Sequence, residues 1–64
     1  MGNRIDPAEV YFEITRIGGS VRVVAIDAVT GVEVTVIGPA RASRIYLERL
    51  ALAKLTRALR AYRP

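Results

Sequence analysis

Four arginines, Arg49, Arg57, Arg60 and Arg63, lie close together near the C-terminus of the chain. On a helix, at about 100° per residue, Arg49, Arg57 and Arg60 share one side. Guanidinium groups are permanent cations with a fork of donors, so these four form a candidate anion-binding set that would hold phosphates without reading a base sequence. A solvated stripe that keeps an apolar chain dispersed explains the same pattern without any ligand. DNA readers built from a sheet and a helix usually carry their cations on the sheet. Here the corresponding strand positions mix Arg22 with Glu13 and Glu33, which weakens the nucleic-acid reading.

Other chemistry has fewer residues to work with. The chain has no cysteine and no histidine, and its six acids are scattered. Disulfides and metal sites that need Cys or His are therefore excluded, and no cofactor is expected. Ser20 and Ser43 have no evident base, and Gly18-Gly19 reads as a hairpin turn rather than a phosphate loop. The expectation is a non-catalytic protein with no small-molecule substrate.

The cations belong to one element. Residues 1–40 hold three basic and five acidic side chains, residues 41–64 seven and one. Arg41 to Arg63 reads as an amphipathic helix. Taken from Leu47, the residues Ala58, Ala51, Tyr62, Leu55, Leu59, Leu52 and Ile45 fall in an arc of roughly 140°, the expected sheet-facing stripe. Lys54 lies at its margin. Tyr46, Leu50 and Ala53 sit among the arginines, and Leu50 points nearly opposite the stripe. Tyr46 and Leu50 are thus candidate contacts for a partner.

Before the helix, residues 1–9 read as a frayed lead-in and residues 10–64 as one domain. Val10 to Ile17, Ser20 to Asp27 and Val32 to Ile37 alternate as half-buried strands. Gly18-Gly19 and Asp27-Ala28-Val29-Thr30-Gly31 supply the turns, the Asp27 carboxylate accepting turn amides and Gly31 taking positive φ. Pairing Ile17 with Ser20 and Asp27 with Val32 fixes both registers. The rows Phe12-Ala25-Val34 and Ile14-Val23-Val36 then share one face, as a three-stranded antiparallel meander requires. Gly38-Pro39 ends the sheet. Pro39 suits the first helical turn, with Ser43 as a second candidate cap.

The opposite face collects Tyr11-Ile26-Glu33, Glu13-Val24-Thr35 and Thr15-Arg22-Ile37, too apolar to leave in water. Glu13 and Arg22 could pair diagonally at its rim. A chain of 64 residues buries only about 60% of its unfolded surface and gains from association. Tyr11, Val24, Ile26 and Ile37 are therefore candidate contacts of a homodimer. A dimer swapping helices about the Gly38-Pro39 joint is a variant that the sequence allows. No run approaches the ~20 apolar residues of a membrane span. The opening Met-Gly-Asn-Arg-Ile-Asp-Pro lacks the order of an export signal, so a cytoplasmic protein is expected.

Tyr11-Phe12-Glu13, the Gly18 turn, Ala25-Ile26-Asp27 with Thr30-Gly31-x-Glu33-Val34, Gly38-Pro39-Ala40 and Leu47-Glu48-Arg49-Leu50-Ala51 together carry a resemblance. The chain resembles a family of short uncharacterised alphaproteobacterial proteins, a domain of unknown function, over nearly all of residues 10–60. These motifs are turns and core positions rather than chemistry, and since the family's function is unknown, no catalytic or binding residue carries over. The resemblance implies a bacterial, cytoplasmic, stand-alone small protein. The residues themselves predict an α+β fold, β-β-β-α, acting as a homodimeric interaction or accessory protein, with nucleic-acid binding through the helix as the alternative.

Overall fold

A computed structural model describes residues 9–63. Its elements are β1 (Val10–Ile17), β2 (Ser20–Asp27), β3 (Glu33–Pro39) and α1 (Arg44–Ala61), and the strands form one antiparallel sheet in the order β1-β2-β3. Residues 1–8 of the expected lead-in lie outside the described residues. Glu9 does not belong to a lead-in, because its carbonyl accepts from the Ala28 N–H at 2.7 Å and so extends the β1–β2 pairing.

The expected registers are those observed. Ile17 pairs with Ser20, Ile14 with Val23 and Phe12 with Ala25, while Ala25 pairs with Val34 and Val23 with Val36. Two turns produce this. Gly18 adopts φ +58°, the positive angle that a two-residue hairpin loop requires. In the second turn the buried Asp27 carboxylate accepts from Thr30 N at 2.9 Å and Thr30 Oγ1 at 2.7 Å, and Gly31 takes φ +80°. The Asp27 N–H donates to Val32 O at 2.9 Å and closes that loop.

β3 does not end at Ile37. Gly38 pairs with Val21 and Pro39 with Ser20, so the strand continues through Pro39 and the proline does not start the helix. The chain turns after Pro39, and α1 begins behind Ser43, whose Oγ accepts from Tyr46 N at 3.2 Å. A serine cap with a free side-chain acceptor satisfies an orphan amide that a proline start would leave bare. Arg41 and Arg63 consequently lie outside the helix.

The short connection from Pro39 to Ser43 brings α1 back over its own sheet, where it packs on β2 and β3 and leaves β1 at the margin. Val23, Ala25, Leu47, Ala51 and Leu55 form the buried core. The buried stripe is narrower than expected and turned by roughly 40° around the helix axis toward Lys54. Ile45 is 62% exposed and Leu52 43%. Both are correctly periodic but face past the strands that the helix covers. No helix among the described residues is long and apolar enough to cross a membrane.

Candidate functional site

Ladder parity determines which backbone groups each edge of the sheet offers. In an antiparallel ladder, bonded and non-bonded pairs alternate, and residues in non-bonded pairs direct N–H and C=O away from the neighbouring strand. Glu9 is a bonded position, so in β1 the outward groups belong to Val10, Phe12, Ile14 and Arg16. Along β3, Asp27 N to Val32 O and Ala40 N to Gly19 O mark the bonded positions, leaving Glu33, Thr35, Ile37 and Pro39 facing outward.

The two edges are treated differently. At β3, Lys54 reaches down from α1 and its Nζ donates to Thr35 O at 2.8 Å. Pro39, lacking an N–H, stands at an outward position where no donor is missed. At β1, no side chain from another element bonds the outward groups among the described residues. Beside the first residue of β1, on the helix side, lies a mainly apolar groove of about 410 Å³ lined by Val10, Leu52, Leu55 and Leu59, with Glu9 and Arg60 at its polar margin. Ile14, on the same sheet face, is half uncovered because the helix lies over the other two strands.

The face away from the helix is less of a patch than its sequence suggests. Tyr11 is 58% exposed and Ile37 69%, but they occupy different rows on opposite edge strands. Ile26 is half-buried and Val24 only 9% exposed, because the flanking strands already shield a central-strand side chain. Glu13, Arg22, Glu33 and Thr35 are exposed between them. Glu13 and Arg22 do not form their expected pair. Glu13 lies opposite Val24 and Arg22 opposite Thr15, a diagonal that solvent competes for easily. The ion pair among the described residues is Arg44 Nε to Glu48 Oε2 at 2.9 Å.

On the helix, Leu50 does not point opposite the core. It borders a shallow groove beside β3 with Val36, Ala53, Lys54 and Arg57, as the rotated stripe requires. Tyr46 is exposed. Arg49, Arg57 and Arg60 are exposed along the outer helix surface. They do not converge, since Arg57 borders the groove by β3 and Arg60 the groove by β1. Arg63 lies past the helix end, its Nη1 donating to Tyr62 O at 3.4 Å. Among the described residues no three acids gather as a metal site would need. The open β1 edge and its groove were not among the expected contacts. The only sequence signal for them was the apolar surplus of Leu52 and Ile45 on the helix.

The molecule is thus an α+β meander with one covering helix. The chain belongs to the family described as a domain of unknown function, DUF6898, whose model matches residues 7–62. No curated protein and no solved structure matches the chain.

Proposed function

We propose that this protein is a small non-catalytic interaction or accessory protein that works as a homodimer in the bacterial cytoplasm, the setting implied by its resemblance to alphaproteobacterial proteins. The observation that carries the reading is incomplete cover. One helix packs mainly on two strands of three, and Tyr11, Ile14, Ile17, Ile37, Ile45 and Leu52 all remain exposed. A chain this short gains stability when such surface is buried against a second copy. Sedimentation equilibrium at micromolar concentration is expected to give twice the chain mass. A particle of one chain mass across that range would sink the reading.

A second reading rests on the helix arginines. Arg49, Arg57 and Arg60 are exposed across the outer surface of α1, between the two grooves, and none is in an ion pair among the described residues. Duplex DNA or RNA would bind this stripe through phosphates, with affinity falling steeply as salt rises. The triple replacement Arg49→Glu, Arg57→Glu and Arg60→Glu should abolish that binding. Absence of binding by the unaltered protein at low salt ends this alternative.

A further inference from the structure

We propose that β1 is the seam of the homodimer: two copies pair β1 antiparallel to β1 about a twofold axis through Ile14, giving one continuous sheet with both helices on the same face. This rests on the homodimer reading above and names the surface that makes it.

The argument begins with the unequal edges. Unpaired strand edges recruit further strands, and proteins blunt the ones that must stay single. β3 is blunted by Lys54 and Pro39. β1 runs without bulge or proline from Val10 to Ile17 and holds its Val10, Phe12, Ile14 and Arg16 backbone groups outward. The helix reaches β1 through Val10 and Phe12 and leaves Ile14 and Arg16 exposed, so pairing there would cover apolar surface that the chain itself does not.

The side chains then choose the register. Opposed residues of an antiparallel pair share a face, so a twofold axis must pass through a residue rather than between two. An axis at Glu13 sets two carboxylates opposite each other, which opposes association. With the axis at Phe12, only Val10 to Ile14 overlap. Placing it at Ile14 pairs Tyr11 through Ile17 and gives favourable neighbours throughout. Ile14 meets Ile14, and Tyr11 meets Ile17, both now exposed. Glu13 meets Thr15, and the Arg16 guanidinium comes beside the Phe12 ring.

The chain has no cysteine, so single cysteines report cleanly. In a hydrogen-bonded antiparallel pair the Cα atoms are about 5.5 Å apart, within disulfide reach. Ile14→Cys is expected to form an interchain disulfide under mild oxidation at micromolar concentration, and Ile37→Cys on β3 is expected not to. In the unaltered protein, the amides of Phe12, Ile14 and Arg16 should exchange at least about a hundredfold more slowly than unprotected amides. Those amides exchanging freely in a particle of dimer mass would overturn the seam while leaving the homodimer intact. Cross-linking through Ile37→Cys rather than Ile14→Cys would overturn it equally. A monomer mass for the unaltered protein would remove both.

Discussion

The two edge strands flank the same central strand but have different neighbours. β3 carries the helix: Leu47 rests on Gly38, and Lys54 reaches across to the Thr35 carbonyl. β1 is hydrogen-bonded only to β2 and meets the core through Val10 and Phe12, with its outer backbone groups and Ile14 left open. The asymmetry follows from chain connectivity. A helix joined to β3 by a turn of a few residues must begin above the end of β3, and one helix is too narrow to reach across to β1 as well. The strand farthest along the sheet from the connection is therefore the one left least covered.

The largest effect on this contrast is expected at Gly38. A Cβ there would stand 2.6 Å from Leu47 Cδ2 and 3.4 Å from Leu47 Cδ1. Leu47 is itself buried in the core, so it cannot simply swing aside. Gly38→Ala should destabilise by about 1–3 kcal/mol, the usual range for overpacking. Removing a glycine from the unfolded chain offsets roughly 0.4–1 kcal/mol of that. Urea unfolding at fixed protein concentration measures the difference. A neutral or stabilising outcome would mean that Leu47 has slack and that the helix is not fixed to β3 by this contact.

Much of this contrast could not be read from the sequence, and the reasons differ by element. Strand pairing was legible because two short turns each fix a register, and only one combination puts Phe12, Ala25 and Val34 on the same face as Ile14, Val23 and Val36. The helix start was ambiguous because Pro39 and Ser43 are both acceptable first-turn residues; the pairing of Pro39 with Ser20 decides for Ser43. Helix rotation was not legible. Periodicity counts Leu52 and Ile45 as equals of Leu47 and Leu55, whereas burial depends on which strands lie beneath. The Lys54 to Thr35 bond joins residues far apart in sequence, and nothing in either neighbourhood announces it.

The smallest effect on stability, and the sharpest on assembly, is expected where β3 is closed. Lys54→Met keeps a stem of similar length, with sulfur in place of one methylene, and removes the ammonium group, which bonds Thr35 O at an exposed site. The cost to stability should stay below about 1 kcal/mol, at the low end for a net hydrogen bond. Pro39 would still interrupt the outward donors, so this variant alone should keep the mass of the unaltered protein. Combining it with Pro39→Thr restores a full row of donors and acceptors to β3. Each dimer would then present an open edge at both ends, and repeated edge pairing does not close on itself. Light scattering should show mass growing with concentration in the double variant alone. If the double variant holds the mass of the unaltered protein, Lys54 and Pro39 are not what closes β3. The contrast between the edges would then rest on the overlying helix.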